Sequence, residues 1–217
     1  MENVTEIVFI LDRSGSMHEL ESDTIGGFNS MLKKQQEETE GTALVSTILF
    51  NDESIVLHDR VPLAEVNPLT RKDYEARGTT ALLDAVGDAV KHIKTVHKYA
   101  RDEDRPTKTI FIITTDGKEN ASMRFSYADV KQLIEQQKEI GWEFIFLAAN
   151  IDAAKTARHI GIDAADAVDY HADSKGTEKV YLSMSKRISS TRYRMTKSRL
   201  SDTSWREELD EDFKSRK

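Results

Sequence analysis

Two apolar, β-branched runs constrain the fold of this chain more than any other feature. Residues 7–11 read Ile-Val-Phe-Ile-Leu, and residues 109–113 read Thr-Ile-Phe-Ile-Ile. Runs of this kind predict strands that are buried on both faces of a parallel sheet. Asp12 directly follows the first run, and Asp116 lies three residues after the second. Because ligands of open α/β sheets bind at the carboxyl ends of the strands, both aspartates are candidate site residues.

The rest of the chain alternates between strand-like and helix-like patterns. The predicted strands cover residues 5–11, 43–50, 54–61, 109–113, 143–149 and 167–170, and the predicted helices cover residues 24–40, 80–99, 126–140, 152–159 and 174–190. The turn at Asn51-Asp52 joins the second and third strands as a hairpin. The predicted fold class is therefore α/β, a doubly wound, mostly parallel six-stranded sheet with one antiparallel edge strand and helices on both faces.

Hydroxyl side chains accompany the two aspartates. Ser14 and Ser16 follow Asp12 at alternate positions, and a glycine-threonine turn at residues 78–80 opens the second long helix. If the first and fourth strands are neighbours where the strand order reverses, these oxygens share one crevice. Carboxylates and hydroxyls without thiol or imidazole favour Mg²⁺ or Mn²⁺ over Zn²⁺ or copper. Taken alone, the two serines are equally typical of turn and capping residues.

At these positions the chain resembles the von Willebrand factor A domain family and its metal-ion-dependent adhesion site. The family pattern is Asp-x-Ser-x-Ser after the first strand, a Gly-x-Thr-x-Leu turn, and Asp-Gly after the fourth strand. The turn matches Thr80 rather than Thr79. The residues that match the site are Asp12, Ser14, Ser16, Thr80 and Asp116.

The resemblance implies a function as well as a fold. It implies the Rossmann-like fold of that family over about residues 4–190, and a protein-interaction module rather than an enzyme. The five matching residues are expected to hold Mg²⁺ or Mn²⁺, with two aspartates balancing the divalent charge. A partner protein is expected to supply an Asp or Glu carboxylate to an open coordination position, because a hard cation prefers an anionic oxygen.

A Mg²⁺-dependent phosphate-ester hydrolase is the alternative from a different functional class. It requires a general base and a nucleophile close to the metal. His18 is expected in a surface loop, and His171 toward the edge of the sheet, so the sequence supplies neither group clearly. Glu119 and Asn120 are expected at the rim of the crevice, as candidates for partner selectivity. The glycine loops that bind nucleotide phosphates do not occur in the sequence.

Charge and composition indicate which classes of partner to exclude and which cellular location to expect. The net charge of -7 argues against general binding to nucleic acid or to an anionic membrane. The sequence has no cysteine, and therefore no disulfide framework. We also see no secretory signal and no apolar stretch near the roughly 18 residues that a membrane span requires. These features predict a cytoplasmic protein that binds neither nucleic acid nor membrane.

The last part of the chain is strongly charged. We predict a domain over residues 1–199 that includes a C-terminal helix, followed by a mobile charged tail over residues 200–217 that is dispensable for folding, with Trp205 as a candidate anchor. The cations near the end of the helix are expected to be solvated and to complement the helix dipole, with a nucleic-acid or acidic-partner contact as the alternative. These cations are Lys186, Arg187, Arg192, Arg194, Lys197 and Arg199.

Overall fold

A single sheet organises the chain in the computed structural model, which describes residues 4–38, 41–194 and 203–216. The strands are β1 (Val4–Asp12), β2 (Thr42–Phe50), β3 (Ser54–Pro62), β4 (Lys108–Thr115), β5 (Glu143–Ala149) and β6 (Ala167–Tyr170). Their order across the sheet is β3-β2-β1-β4-β5-β6. All neighbouring strands are parallel except β2 and β3. The predicted fold class is confirmed.

Helices cover both faces of the sheet. One face is covered by α1 (Glu21–Glu37), α5 (Ser174–Tyr193) and α6 (Glu207–Ser215), and the other by α2 (Leu82–Tyr99), α3 (Tyr127–Glu139) and α4 (Ala153–His159). Alternate residues of β1 therefore enter different cores. Phe9 packs with the first group of helices, whereas Ile10 packs with the second. Burial on both sides explains why β1 reads as an unbroken apolar run.

Side chains at the predicted starts of three helices cap them in the structure. Ser126 and Asp129 form a reciprocal capping box at the start of α3. Asp152 Oδ1 accepts a hydrogen bond from the Lys155 backbone N–H at 2.7 Å, and Asp173 caps α5 in the same way. These caps satisfy backbone donors that have no partner within the helix. The main difference is in α1, which begins and ends three residues before its predicted bounds, because a 3-10 helix at residues 15–20 leads directly into it.

The C-terminal segment is helical where the structure describes it. The sequence predicts a mobile charged tail with Trp205 as a candidate anchor; Ser204–Arg206 form a 3-10 helix, and α6 follows it directly. Trp205 is 4% exposed and Leu209 is 1% exposed, and both belong to the core beneath α1 and α5. Burial of these two side chains offsets the entropy cost of ordering the segment, which its average composition does not reveal. The predicted boundary at residue 199 lies outside the described residues.

The amino ends of the strands carry buried ion pairs, and these correct the expectation for the basic part of α5. Glu143, at the start of β5, accepts a hydrogen bond from Arg187 Nη2 at 2.7 Å and also pairs with Arg194. Arg192 donates to the Gln35 carbonyl at 2.8 Å. Arg187 and Arg192 are both 2% exposed, so these two side chains near the end of α5 are buried and paired within the protein rather than solvated. Lys197 and Arg199 lie outside the described residues.

A second buried acid lies at the same end of the sheet. The Glu6 side chain in β1 is fully buried and contacts Arg60 Nε at 2.5 Å. It also pairs with His97 of α2. Isolated charges are costly to bury, but each of these acids has cationic partners within the protein.

Candidate metal centre

The strand order brings the predicted site residues to one place. β1 and β4 are parallel neighbours, with Leu11 opposite Thr114. Asp12 ends β1, and Asp116 follows the last residue of β4. The order reverses between these two strands, since β2 lies on the other side of β1 and β5 on the other side of β4. Such a reversal opens a crevice at the carboxyl ends of the strands.

The Asp12 carboxylate is buried and held by two donors. Its Oδ1 accepts a hydrogen bond from the Ser14 backbone N–H at 2.7 Å. Its Oδ2 accepts one from Thr115 Oγ1 at 2.5 Å. The Tyr74 hydroxyl donates to the Asp12 carbonyl oxygen and so supports the end of β1 from below. Thr115 was not among the predicted site residues, although its position directly before Asp116 could have indicated it.

The two serine hydroxyls connect the aspartates. Ser16 Oγ donates to Asp116 Oδ1 at 2.5 Å. Ser14 Oγ lies 3.2 Å from Ser16 Oγ, within hydrogen-bond distance. The Asp-x-Ser-x-Ser segment and the end of β4 thus form one hydrogen-bonded cluster of oxygens.

Thr80 joins the same cluster. A Cβ placed on Gly117 would lie 3.5 Å from both Ser16 Oγ and Thr80 Oγ1, so the two hydroxyls flank one point of the backbone. Thr80 is buried, whereas Thr79 is exposed. The structure therefore brings Asp12, Ser14, Ser16, Thr80 and Asp116 together.

A close contact between two loops sets the position of Thr80. The Gly15 N–H donates to the Gly78 carbonyl oxygen at 3.1 Å, which ties the serine-rich loop to the turn before Thr80. Gly78 has φ +74°, and a Cβ there would lie 1.9 Å from Asp52 Oδ1. A residue with a Cβ would be strained in this backbone conformation and would displace the Asp52 side chain, so glycine is favoured at this position.

The two aspartates have raised pKa values and no cationic partner among the described residues. Burial raises the pKa of Asp12 to about 6; hydrogen bonds from Thr115 and Ser14 oppose this shift, and the nearby Asp116 adds to it. Burial also raises the pKa of Asp116, against the hydrogen bond from Ser16. Neither carboxylate forms an ion pair with any lysine, arginine or histidine of the described residues. Both charges are thus costly in the absence of a cation.

This donor set fits a hard divalent cation. Two carboxylates can neutralise a charge of two, and three hydroxyls supply further oxygen ligands. Within the described ranges, no three or more His, Cys, Asp or Glu residues cluster in a way that could hold a metal. A site rich in imidazole, thiolate or carboxylate is therefore not found there, and hydroxyl oxygens must complete any shell at Asp12 and Asp116.

The loop after β4 is held rigidly to the start of α2. The Glu119 carboxylate accepts hydrogen bonds from the backbone N–H groups of Leu83, Ala121 and Ser122. The Asn120 side chain accepts one from the Thr80 N–H at 2.9 Å, and the Asn120 N–H donates back to the Thr80 carbonyl. The sequence suggests partner selectivity for Glu119 and Asn120, but the structure uses both to position the loop.

Asp84 also attaches the loop after β4 to the start of α2. Its carboxylate accepts hydrogen bonds from the backbone N–H groups of Met123, Arg124 and Phe125 at 2.9–3.0 Å. Burial alone would raise the pKa of Asp84, but these three donors and the Arg124 charge hold it below its usual value. Sequence reasoning missed this residue, because its only signal is an aspartate in the first turn of a helix.

The histidines considered as catalytic bases lie elsewhere. The His18 side chain is 76% exposed and lies 3.6 Å from Glu21. The His171 ring packs against Phe213 near β6, with ring centroids 4.8 Å apart. Neither residue shares a hydrogen bond with the oxygen cluster in the part of the chain that the structure describes.

The comparison with family models decides the classification. The model of the von Willebrand factor type A domain matches residues 6–181. The chain belongs to this family. Domains of this type generally serve protein–protein interaction, and the matched range contains all five clustered residues. No curated protein matches the chain.

Solved structures with the same fold come from adhesive and surface proteins. Proximal thread matrix protein 1 from the mussel byssus aligns with a TM-score of 0.57 and 13% identity over 86% of this chain and 46% of that protein. The PilB minor pilin of Streptococcus sanguinis aligns with a TM-score of 0.60 and 11% identity, over 89% of this chain and 63% of the pilin. This chain therefore covers less than two thirds of either protein. At such identities the likeness shows the fold alone.

A third structure matches over nearly the whole of both chains. The von Willebrand domain of the type V pili tip protein Mfa5 from Porphyromonas gingivalis aligns with a TM-score of 0.61 and 10% identity, over 93% of this chain and 99% of that one. No helix in the described ranges has the length and apolarity that crossing a bilayer requires. The comparisons do not support the expected cytoplasmic location, because likeness at these identities shows the fold alone.

Proposed function

We propose that this VWA domain binds a protein partner through a divalent cation held by Asp12, Ser14, Ser16, Thr80 and Asp116. One observation carries the proposal: two buried carboxylates meet three hydroxyls at the strand-order reversal, and no described cationic side chain pairs with either carboxylate. The cation, when bound, supplies an open coordination position for an anionic oxygen. Mg²⁺ or Mn²⁺ suits this oxygen-only set, and an Asp or Glu of the partner is the expected ligand.

Different residues of the chain have different roles in such a site. Asp12 and Asp116 supply the negative charge, and the hydrogen bonds from Thr115 and Ser16 orient their carboxylates. Because the hydroxyls donate little electron density, they leave the cation attractive to a further anionic ligand. Asn120 and Glu119 hold Thr80 in place through the backbone of the α2 start.

Two findings from other proteins support the choice of a metal-dependent site. The family generally mediates protein interactions. A crystal structure of the mussel byssus protein, 14% identical with a TM-score of 0.57, is described as having a zinc-occupied adhesion-site motif. That ion belongs to the other protein, and the oxygen ligands of this chain favour Mg²⁺ or Mn²⁺ over Zn²⁺.

Titration calorimetry with Mg²⁺ and Mn²⁺ tests the metal site directly. The wild-type domain should bind one ion, and Asp12→Ala should abolish the binding heat while leaving the circular dichroism spectrum unchanged. Thr80→Ala should weaken partner binding without eliminating metal binding. Asp59→Ala is the control, since Asp59 lies on the edge strand β3 with its side chain 51% exposed. A wild-type domain that binds neither ion at millimolar concentration contradicts the metal site.

Selection of random displayed peptides in Mg²⁺ tests the partner chemistry. The selected peptides should contain an Asp or Glu and should dissociate in EDTA and from Asp12→Ala. Peptides retained under both conditions contradict the proposed mechanism. Saturable hydrolysis of p-nitrophenyl phosphate that Asp12→Ala abolishes would also contradict it, in favour of an enzyme.

A further inference from the structure

A groove lies beside the proposed metal site, along the carboxyl ends of β5 and β6. Its volume is about 690 Å³. The loops after β4, β5 and β6 line it together with α4, and α6 contributes Phe213. The Phe213 ring packs on His171, so the C-terminal segment shapes the outer side of this groove.

The groove adjoins the end of β4, which carries part of the oxygen cluster. Asn150, which lines it, directly follows β5 and has φ +58°. Its Nδ2 donates to the carbonyl oxygen of Asp116 at 3.3 Å. Lys118 lies two residues after Asp116 and lines the groove as well. The groove is therefore next to the position that a metal-bound carboxylate of a peptide would take.

Two lysines line this groove, together with the acidic residues Glu119 and Asp152. Lys118 and Lys155 are exposed and line it, and neither forms an ion pair with another described residue. Lysines of the adjacent α3 are paired instead: Lys131 with Glu135 at 3.8 Å and Lys138 with Asp163 at 3.1 Å.

The acidic residues that line the groove are engaged within the protein. The Glu119 carboxylate accepts hydrogen bonds from the N–H groups of the Ala121 and Ser122 backbone. Asp152 caps α4 through its Oδ1. These contacts hold the Glu119 carboxylate and Asp152 Oδ1 against backbone donors without removing their charge, whereas the two lysine ammonium groups have no ion-pair partner among the described residues.

We propose that this groove binds the partner chain next to its metal-bound carboxylate, and that Lys118 and Lys155 select a second acidic residue there. The occupant is thus an extended acidic segment with two carboxylates at a fixed spacing. This inference rests on the proposed function and specifies the partner further. Charge complementarity at the rim of an interface contributes mainly to specificity, which is the role assigned to the two lysines.

Peptide selection with a charge-reversed domain tests the groove. In Mg²⁺ the wild-type domain should select peptides with two acidic residues at one spacing. Lys118→Glu/Lys155→Glu should keep one of them and replace the other with Lys or Arg, because the groove charge is reversed. A peptide selected by the wild type should bind this variant about tenfold more weakly. Mg²⁺ affinity, measured without peptide, should not fall.

Lys33→Glu/Lys131→Glu is the matched control, since it makes the same charge change on the exposed faces of α1 and α3. This control should select the wild-type peptides. Peptides that need Mg²⁺ but carry only one acidic position contradict the groove inference and leave the proposed function intact. The groove inference is also contradicted if the Lys118→Glu/Lys155→Glu variant selects peptides that keep the second acidic residue. If no peptide depends on Mg²⁺, the proposed function fails, and this inference fails with it.

Discussion

Buried carboxylates lie at both ends of the sheet, but their partners differ. At the amino ends, Glu143 pairs with Arg187 and Arg194, and Glu6 pairs with Arg60 and His97. At the carboxyl ends, Asp12 and Asp116 receive hydrogen bonds from hydroxyls and an N–H group, but no cation of the described residues pairs with them.

Under the proposed function, this difference separates structural acids from the acids of the metal site. A buried carboxylate with its own arginine is compensated within the fold, and it fixes which helix packs on which strand. A buried carboxylate that has only neutral donors keeps an uncompensated charge, which an external cation can neutralise. Burial alone therefore does not identify a site; the charge of the groups around the carboxylate does.

The largest effect is expected from breaking an amino-end pair. Arg187→Met removes one of the two arginines that pair with buried Glu143, and should lower the free energy of unfolding by about 3 kcal/mol, the lower end of the range for a broken buried pair, because Arg194 remains. Urea denaturation measures this loss. Lys186→Met, a neighbouring residue with a 43% exposed side chain, should cost less than about 1 kcal/mol. Equal stability of Arg187→Met and the wild type would mean that the amino-end pairs are not structural.

Removing a buried charge at the carboxyl ends should raise the free energy of unfolding of the metal-free domain. Asp12→Asn should stabilise the metal-free domain in EDTA at pH 7.5 by up to about 3 kcal/mol, since burial raises the pKa of Asp12 from 3.8 to about 6. The folded state of the wild type binds the proton more tightly, so the cost of ionisation is absent below pH 4 and is complete above pH 6. The gain should follow this range in thermal unfolding measured against pH.

Mg²⁺ should reverse the order of stability of the wild type and Asp12→Asn. Saturating Mg²⁺ should stabilise the wild type but not Asp12→Asn, because only the wild type retains the site. Asp59→Asn should follow the wild type under both conditions. A metal-free Asp12→Asn domain that is less stable than the wild type at pH 7.5 would contradict the contrast between the two ends.

The smallest effect is expected at Asp84, a carboxyl-end acid that three backbone N–H groups satisfy. Asp84→Asn should lower the free energy of unfolding by about 1–2 kcal/mol at pH 7. Against the effect of burial, the hydrogen bonds hold the pKa of Asp84 below 3.8, so its stabilisation is present above that pH and is lost as the pH falls through the folded-state value. Thermal unfolding at pH 7 and pH 2.5 measures the difference.

Asp88→Asn, one turn further along α2 with a 42% exposed side chain, is the control and should change stability by less than about 0.5 kcal/mol. A loss from Asp84→Asn that persists at pH 2.5 would show that the charge of Asp84 is not its source.

Much of the fold could be predicted because its signals are local. The run before Asp12 requires a strand buried on both faces, and the capping residues Ser126 and Asp152 mark helix starts by their own hydrogen bonds. The strand positions were predicted to within about two residues for this reason. The five oxygen-bearing residues were identified from spacing and family resemblance. Their convergence follows once β1 and β4 are neighbours.

The remaining features depend on contacts between distant parts of the chain. Average composition predicted a mobile tail, but whether Trp205 can be buried depends on the surface that α5 presents to it. The basic residues of α5 carry no local sign that Glu143 will lie beside Arg187, 44 positions apart. In the same way, the roles of Glu119 and Asp84 follow from how the loop after β4 meets the start of α2.

The sequence by itself determined the alternation of strands and helices, the antiparallel edge and the oxygen-bearing side chains near the strand ends, because periodicity and short motifs depend on neighbouring residues. Only the tertiary structure decided which buried charges are neutralised within the protein and which are not. Compensation of a charge depends on distances in space, and in this fold Glu143 lies next to two arginines, whereas Asp12 lies next to hydroxyls and a second aspartate.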